Sequence, residues 1–423
     1  MKEPTRMFES IGLNKPVLAL SVARMADALG NSILIVIIPI YISKLPKQYF
    51  HMALPVLVGL LISAYGLINS LLQPFAGAIS DRLNKRKLLI QIGLAIIGVS
   101  TILFIYAGNF LSLFLLRSLQ GVGVALTIPA SLSLMSAITE KRTRGGSMGI
   151  YSTFRMIGFS IGPVIGGYLL TRYGFNTAFV VGAIFVALAM IMVQAWVRDV
   201  EDEEPAETDP KSIKSRFRIF DLSLLNSGIL SASLATFLMA AAFSMVVTLE
   251  NEFNARLDIT AFGFGVAFSM LMVGRLVTQI PLGHYSDKVG RKVVLLGGLL
   301  LMAPATALLG EVTALWQLIV LRILQGVAAG AIAAPAFAVG ADLSKSGGAG
   351  RQMSVITMGF GLGIALGPLL AGVLAVIAFE VPFFTLAVLL IIGALVVYRY
   401  MPETITGGHV VFSESGRRMV SKT

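Results

Sequence analysis

The sequence predicts an all-α membrane protein of twelve transmembrane helices, arranged as two six-helix halves with pseudo-symmetry. Three observations predict it: the composition, the lengths of the apolar runs, and a sequence repeat between the halves. Of 423 residues, 56% are hydrophobic and 13% are charged, whereas about 25% are charged in an average soluble domain. A water-soluble fold of ordinary type is therefore excluded.

Twelve apolar runs are long enough to cross a bilayer. About 20 residues of helix, each rising ~1.5 Å, span a hydrocarbon core of about 30 Å. Only helices satisfy their own backbone hydrogen bonds in lipid along segments of this composition. The predicted spans are residues 17–42, 54–79, 87–107, 110–136, 148–171, 174–197, 224–249, 262–284, 292–310, 313–340, 353–377 and 380–400.

One long polar segment divides the spans six and six. It begins with an acidic run, Glu201–Glu204, and continues with four basic residues between Lys211 and Arg218. Blocks of like charge are typical of solvated linkers. The predicted domains are an N-terminal six-helix bundle at 1–197, a cytoplasmic linker at 198–222, a C-terminal six-helix bundle at 223–401 and a cytoplasmic tail at 402–423.

The basic residues predict the orientation. Lys and Arg total 33 against 22 Asp and Glu, a net charge of +11. With both termini inside, the inner segments hold 24 basic residues and the outer loops hold four. Because Lys and Arg are retained on the cytoplasmic side of short loops, we expect a multi-pass protein of the cell membrane with both termini cytoplasmic. The outer acidic residues Glu250, Glu252 and Asp258 either attract cations or, as we favour, lie in a solvated loop.

Composition and motifs exclude several kinds of chemistry. The chain has no cysteine and three isolated histidines, so neither a thiolate site nor a local histidine metal site is expected. No Gly-x4-Gly-Lys-Ser/Thr loop occurs, which argues against ATP hydrolysis within this chain. We therefore predict no catalytic residues, no metal and no enzyme activity.

Six ionisable residues lie inside the predicted spans. Each costs at least about 2.5–3.5 kcal/mol at the centre of a lipid-facing helix, so we expect them to face the bundle interior, a cavity or a partner. They are Arg24, Asp27, Arg117, Arg155, Arg275 and Arg322.

Asp27 is the one acidic residue at such depth. Arg24, Asp27 and Asn31 recur at three and four residues, so they form a polar stripe on one helix face. A carboxyl group held between a dry environment and a nearby Arg can load and release a proton. The alternative is a static Arg24–Asp27 pair that neutralises both groups.

Three motifs recur in the same order in both halves, at an offset near 206 residues. Such duplicated halves place a substrate pathway between them, near the bilayer midplane. The matched pairs are Gly77–Arg86 with Gly283–Lys292, Arg117–Val122 with Arg322–Val327, and Gly158–Gly167 with Gly363–Gly372.

These motifs resemble those of the major facilitator superfamily, and the resemblance covers essentially all of residues 15–400. The Gly-x3-Asp-Arg loop between the second and third spans is similar to that superfamily's most specific short signature, and a second copy follows at Gly283 with Lys288 in place of the Arg. In the first copy Asn84 replaces the second glycine. Asn tolerates a left-handed backbone better than other non-glycine residues, so we expect the turn to survive.

Two further blocks resemble one branch of that superfamily. The Arg117 and Gly158 blocks are similar to the second and third motifs of proton-driven drug exporters with twelve spans. Asp27-Ala-Leu-Gly30 followed by Pro39 is similar to the tetracycline and multidrug branch. The resemblance implies secondary active transport by alternating access, with proton-coupled export of small organic or drug-like compounds.

The resemblance also implies roles for individual residues. It makes Arg117 the partner that modulates Asp27, whereas a structural bond to carbonyls between helices stays open for Arg117 and more so for Arg322. It makes the two signature loops gate elements, in which Asp81 and Asp287 contact across the halves; the alternative is that their basic residues serve orientation alone. The candidate gating residues are Gly77, Asp81, Arg82, Arg86, Gly283, Asp287 and Arg291, with Gly158, Gly162 and Pro163.

The glycines at Gly158, Gly162 and Gly166 are spaced by four and present a flat helix face, which favours close helix contact without a ligand role. The superfamily associates this motif with antiport.

Five polar residues within the spans are candidates for substrate binding: Arg24, Asn31, Arg155, Arg275 and Arg322. Arg155 either contacts substrate or caps a helix contact. Arg275 aligns with Asn69 in the repeat, so symmetry does not account for its charge; an interhelical bond to a carbonyl is its alternative.

Two other functions stay open. Five interior arginines against one interior carboxylate favour an organic-anion transporter, for uptake or exchange. A non-transporting receptor or scaffold is an alternative of another class, against which the polar stripe of the first span argues. We expect lipid, a small-molecule substrate and protons as partners, no nucleic acid, a monomer, and no cofactor, the proton gradient being the energy source.

Overall fold

The computed structural model describes residues 15–45, 52–83, 85–139, 144–197, 226–343, 349–406 and 409–410. The predicted linker at 198–222 lies outside these residues, as does the tail beyond residue 410. The side chains of Asp81 and Arg82 also lie outside the description.

Thirteen α-helices make up most of the described chain. Their bounds are α1 Lys15–Lys44, α2 Leu54–Leu83, α3 Arg86–Leu103, α4 Phe110–Ile138, α5 Arg144–Tyr173, α6 Phe175–Trp196, α7 Ser227–Thr248, α8 Glu250–Leu257, α9 Ala261–Val289, α10 Arg291–Ala307, α11 Leu315–Asp342, α12 Ala349–Leu374 and α13 Val381–Tyr400. Short 3₁₀ turns extend α3 and α10.

All of these helices except α8 are long and apolar enough to cross a membrane. The prediction of an all-α protein with twelve spans is therefore confirmed. Several helices extend past the predicted limits: α2 reaches Leu83 and α9 reaches Val289. The polar signature motifs prolong these two helices, because a helix need not end where its apolar run does.

Helix starts follow local capping chemistry. The side chain of Asn109 accepts the backbone N–H of Ser112 at 2.8 Å, which closes a capping box at the start of α4. Asn226 accepts the N–H of Ile229 at 2.8 Å in the same way at the start of α7. Each cap satisfies an N–H group that the first helical turn leaves without a partner.

The chain divides into two compact units. Unit 1 comprises Met1–Ile37 and Leu67–Asp221, and unit 2 comprises Ile38–Gly66 and Leu222–Thr423. The end of α1 and the first half of α2 thus group with the second half of the chain, and the predicted linker at 198–222 stays a prediction. Close packing on α12 accounts for this grouping, because a methyl group on Gly59 would lie 2.5 Å from the carbonyl oxygen of Pro368.

Glycine contacts also set the packing within unit 1, where α3 lies against α4 and α6. A methyl group on Gly93 would lie 2.6 Å from the carbonyl oxygen of Gly123, and one on Gly30 would lie 2.6 Å from that of Gly182. Small residues at helix crossings let the backbones approach this closely. Unit 1 thereby encloses the polar face of α1.

In unit 2, α7 packs on α12 and α9 packs on α11. An aromatic cluster lies where α8, α9 and the start of α13 meet, and its ring centroids are 5.0–6.2 Å apart. Its members are Phe253, Phe264, Phe379 and Phe383. After α13, strands β1 (Ile405–Thr406) and β2 (His409–Val410) form a short antiparallel pair.

Candidate functional site

The polar stripe on α1 is buried inside unit 1. Arg24, Asp27 and Asn31 are exposed by 8%, 4% and 8%. The Arg24 guanidinium donates to Oδ2 of Asp27, and the amide nitrogen of Asn31 donates to Oδ1 at 2.8 Å. Both carboxylate oxygens of Asp27 therefore have a partner one helical turn away, and the structure brings the three predicted residues together.

A cavity of about 10 Å³ lies beside this stripe, room for about one water molecule. Arg24, Asp27 and the hydroxyl residues Thr127 and Ser131 contribute the polar side chains of its wall. The remaining lining is apolar: Leu20, Ala23, Ile90, Leu94 and Val193.

Arg117 lies on α4 and is 6% exposed. Its Nη1 donates to Oε1 of Gln120 at 2.7 Å, and Nε2 of Gln120 donates to Oγ1 of Thr101 on α3 at 2.8 Å. This chain of hydrogen bonds joins the two helices. The coupling of Arg117 to Asp27 stays a prediction.

Unit 2 repeats the same chain of hydrogen bonds. Nη1 of Arg322 donates to Oε1 of Gln325 at 2.8 Å, and Nε2 of Gln325 donates to Oγ1 of Thr306 at 3.0 Å. Arg322 also donates to the carbonyl oxygen of Phe243 at 3.4 Å and lies 5.0 Å from the ring centroid of Phe268. The repeat therefore extends from sequence to side-chain geometry, and in both units it ties a buried arginine to neighbouring helices.

A second cationic group lies near Arg322 in unit 2. Nε of Arg275 donates to Oε1 of Gln279 at 3.0 Å, and its guanidinium lies 5.9 Å from the ring centroid of Phe360. Phe360 in turn packs against Phe243, with centroids 6.1 Å apart. Arg275 thus lies beside the ring of Phe360, whereas Arg322 bonds to the backbone of Phe243. In unit 1, by comparison, Arg155 lies 5.4 Å from the ring centroid of Phe159.

The glycines of α5 pack against α1. A methyl group on Gly158 would lie 2.5 Å from the carbonyl oxygen of Met25, and one on Gly166 would lie 2.6 Å from that of Ile33. The hydroxyl of Ser32 donates to the carbonyl oxygen of Gly158 at 3.1 Å. The helix that carries Asp27 is therefore held directly by the helix that carries the glycine motif, with Gly162 and Pro163 on the same segment.

The two signature loops are described to different extents. In the first, Gly77 lies beside Pro129 and Arg86 is buried. In the second, which begins at Gly283, Arg291 pairs with Asp287 at 3.2 Å and with Asp342 of α11 at 2.7 Å. These contacts lie within unit 2, so a contact of Asp287 across the halves stays a prediction.

Two acidic residues, Glu403 and Glu250, have surroundings that the sequence did not predict. The Glu403 carboxylate accepts the backbone N–H groups of Arg291 and Lys292 at 2.8 and 3.1 Å. Glu250 is 0% exposed, so the expectation of a solvated loop is wrong at this position. An acidic residue two or three positions after the end of a span is the sequence signal common to both.

Taken together, the fold and the buried polar sites define a multi-pass membrane protein built from two related six-helix halves, the organisation of a secondary transporter. Within the described residues, no three His, Cys, Asp or Glu side chains are grouped so as to hold a metal ion. The profile of the Major Facilitator Superfamily matches residues 20–254 and 229–414. The chain therefore belongs to this superfamily, whose members are membrane transporters rather than enzymes.

Named relatives and a solved structure agree with this assignment. The multidrug resistance protein MdtG of Yersinia enterocolitica is 28% identical over 373 residues, which cover 87% of this chain and 88% of the relative. The uncharacterized MFS-type transporter YuxJ of Bacillus subtilis is 28% identical over 316 residues, 73% of this chain and 79% of that protein. A crystal structure of a bacterial homolog of the human lysosomal transporter Spinster superposes with a TM-score of 0.74 at 16% identity, covering 95% and 98% of the two chains.

Proposed function

We propose that this protein exports small organic compounds, drug-like ones included, in exchange for protons, by alternating access. The observation that carries the proposal is the buried Asp27 carboxyl, held by Arg24 and Asn31 beside a cavity of about 10 Å³. The relatives named as multidrug resistance proteins support the substrate class. The bilayer, a small-molecule substrate and protons are its partners, it works as a monomer, and it has both termini in the cytoplasm.

The proton step follows from the contacts of Asp27. When the carboxyl is ionised, the Arg24 guanidinium balances its charge and the Asn31 amide donates to it. When the carboxyl is protonated, it no longer carries the negative charge that pairs with Arg24, and the Arg24 guanidinium can bind other acceptors. Proton binding therefore changes the charge that α1 presents to the interior, and a substrate that binds the two charge states differently shifts the equilibrium between conformations.

The packing of α5 on α1 supplies a mechanical link for that shift. Gly158 and Gly166 hold α5 against the segment of α1 that carries Asp27. A change in the contacts of Asp27 moves a helix that α5 must follow, because the two backbones pack closely there and the Ser32 hydroxyl of α1 is bonded to the Gly158 carbonyl oxygen of α5. This link would give the glycine motif its role in gating.

Proteoliposomes test the coupling. With ethidium as the probe, an imposed pH gradient should drive accumulation by the wild type and should fail to drive it in Asp27→Asn. Glu311→Gln removes an exposed acidic side chain from the 3₁₀ turn after α10 and serves as the matched control. Exchange of labelled for unlabelled ethidium without a gradient should persist in Asp27→Asn, since binding survives when coupling is lost. Accumulation that still follows the pH gradient in Asp27→Asn contradicts the assignment.

The aromatic pair of unit 2 favours a second candidate, an organic-anion transporter. Arg275 lies beside the ring of Phe360, and Arg322 lies beside the ring of Phe268 and bonds to the carbonyl oxygen of Phe243, whose ring packs on Phe360. This combination suits an aromatic carboxylate, which needs a cation for its charge and an aromatic face for its ring. Binding of p-aminohippurate that is lost in Arg275→Gln and kept in Arg256→Gln, with ethidium not bound, would favour this candidate over the first.

A further inference from the structure

Glu250 is an acidic residue enclosed by unit 2. It is the first residue of α8, two positions after α7 ends, and its side chain is 0% exposed. The neighbouring Leu249 and the Phe253 one turn later are also 0% exposed. This carboxyl group is therefore shielded from water, although it lies outside the membrane-spanning segments.

An aromatic cluster lies one helical turn from Glu250. Phe253, on the same face of α8 by its spacing of three, lies at the centre of the aromatic cluster, with ring centroids 5.0 Å from Phe379 and 5.7 Å from Phe383. The amide of Asn251 donates to the carbonyl oxygen of Pro39 at 2.8 Å, which ties α8 to the end of α1 within the same unit. These contacts hold α8, with its first residue Glu250, against the rest of unit 2.

The Glu250 carboxyl has little to compensate for this burial. Neither of its oxygens accepts a hydrogen bond of ordinary geometry from the described residues. Burial raises the pKa of Glu250 well above its ordinary value, and the nearby Asn254 amide lowers it only in part. A buried carboxylate without a cation partner is costly, so this packing favours the neutral, protonated form.

The charged and titratable groups on the packed elements do not change that balance. On its own segment these are Glu252, Arg256 and Asp258, and on α1 they are Tyr41 and Lys44; before α13 there is Glu380. Helix α7 and the first fourteen residues of α9 contain none. Arg256, a cation within two turns, is paired with Glu380 at 2.7 Å and stacked 4.0 Å from the ring centroid of Phe379. Glu252 is itself acidic, and burial raises its pKa too.

We propose that Glu250 is a second proton-binding residue of this transporter, which holds a proton while α8 is packed and releases it when that packing opens to water. The inference rests on the proposed proton-coupled transport. It names a site distinct from Asp27, because Pro39, which contacts α8, lies twelve residues further along α1, or about 18 Å by helical rise. By the predicted orientation this site faces the outer side of the membrane, where an antiporter takes up its protons.

The sign of the pH effect follows from the two states. An open α8 gives Glu250 the ordinary behaviour of a solvated carboxyl, whereas the packed α8 holds it protonated. At a pH where Glu250 is ionised in the open state and protonated in the packed state, packing of α8 binds one proton. A rise in pH therefore weakens the packed state. Glu250→Gln, which is neutral at every pH and nearly the same shape, should remove that dependence.

Infrared titration of the purified protein tests proton binding directly. The wild type in lipid nanodiscs should show the carbonyl stretch of a protonated carboxyl at pH 7, and the same stretch should remain in Asp27→Asn and in the neighbouring control Glu252→Gln. Its loss in Glu250→Gln alone supports the inference. A stretch that persists unchanged in Glu250→Gln overturns it. This measurement involves no substrate. If ethidium does not follow a pH gradient in the wild type, the transport proposal is refuted, whereas the infrared spectrum still decides whether Glu250 binds a proton.

Cysteine labelling tests the link to opening. Because the chain has no cysteine, Val247→Cys places a single thiol one turn before Glu250, at a position that is 7% exposed. Its labelling by a membrane-impermeant maleimide, corrected for the thiolate fraction with a solvated reference thiol, should rise several-fold between pH 6 and pH 9 and stay low throughout in the Glu250→Gln background. Equal pH dependence in the two backgrounds would overturn the inference.

Discussion

The Glu403 carboxylate caps the first turn of α10, with Oε1 2.8 Å from the backbone nitrogen of Arg291. Its second oxygen accepts the N–H of Lys292 at 3.1 Å. The next residue, Thr404, donates its hydroxyl to Asp342, which also pairs with the Arg291 side chain. The segment after the last span is thereby fastened to the second signature loop and to α11.

This relationship predicts a stabilising role for the tail segment. Glu403→Ala leaves two N–H groups at a helix N-terminus without acceptors, and should lower the free energy of unfolding by about 0.5–2 kcal/mol, as loss of a helix cap does. Thermal denaturation in detergent, followed by intrinsic fluorescence, measures this change. Glu403→Gln keeps one acceptor oxygen and should lose less. Equal melting temperatures for Glu403→Ala and the wild type would refute the capping role.

The packing of α5 on α1 makes a matched pair of substitutions informative. Gly158→Ala puts a methyl group 2.5 Å from the Met25 carbonyl oxygen, and overpacking of this kind costs about 1–3 kcal/mol. In Gly149→Ala, on the same helix, the added methyl group has no other atom within 4 Å. The higher helix propensity of Ala should raise the free energy of unfolding by up to about 1 kcal/mol. Melting temperatures should therefore move in opposite directions. A shift of the same sign in both variants would show that α5 does not depend on this contact.

The duplicated hydrogen-bond chains separate a structural role from a coupling role. Gln120→Leu and Gln325→Leu each remove one acceptor of a buried arginine, at a cost of about 1.5–3 kcal/mol for a hydrogen bond to a charged group. Both should destabilise the protein by similar amounts. If Arg117 modulates Asp27, only Gln120→Leu should also shift the pH dependence of ethidium transport in proteoliposomes. Identical pH profiles in the two variants would leave Arg117 with the structural role alone.

The ion pair between Arg256 and Glu380 predicts a specific pH dependence of stability. A hydrogen bond from its own backbone N–H, together with the Arg256 guanidinium, holds the pKa of Glu380 below its ordinary value of 4.5. Its contribution to stability is therefore present above pH 4.5 and is lost as the pH falls through the lowered pKa. Glu380→Gln should melt slightly below the wild type at pH 7, and the difference should vanish in acid.

Glu311→Gln, which removes another acidic residue of unit 2, provides the control for that titration. Its melting temperature should follow that of the wild type at both pH values. A difference between Glu380→Gln and the wild type that grows on acidification has the wrong sign for this pair and would contradict it.

The sequence predicted the parts of this protein that depend on local order along the chain. The spans followed from apolar length, and the contact of Arg24 and Asn31 with Asp27 followed from helical spacing. The burial of Glu250 escaped prediction because it depends on the packing of α8, whose Phe253 meets Phe264, Phe379 and Phe383 only in the tertiary fold. Glu403 escaped for the same reason, since its hydrogen bonds reach back 112 residues to Arg291.

Orientation in the membrane is the prediction on which the outer location of Glu250 depends. The Cys-free chain allows single thiols to be placed in loops on either side. Gly108 lies in the exposed turn between α3 and α4, where an added side chain would have no atom within 4 Å of its Cβ. Lys85 is exposed in the turn between α2 and α3. One span separates the two turns, so they must lie on opposite sides of the bilayer.

A membrane-impermeant maleimide added to intact cells should therefore label Gly108→Cys and spare Lys85→Cys, because the cytoplasmic side retains the basic loops. Permeabilised cells should give equal labelling of both, which controls for thiol reactivity. Labelling of Lys85→Cys in intact cells, with Gly108→Cys protected, would invert the topology. Glu250 would then face the cytoplasm, and its proton would be exchanged with the interior of the cell.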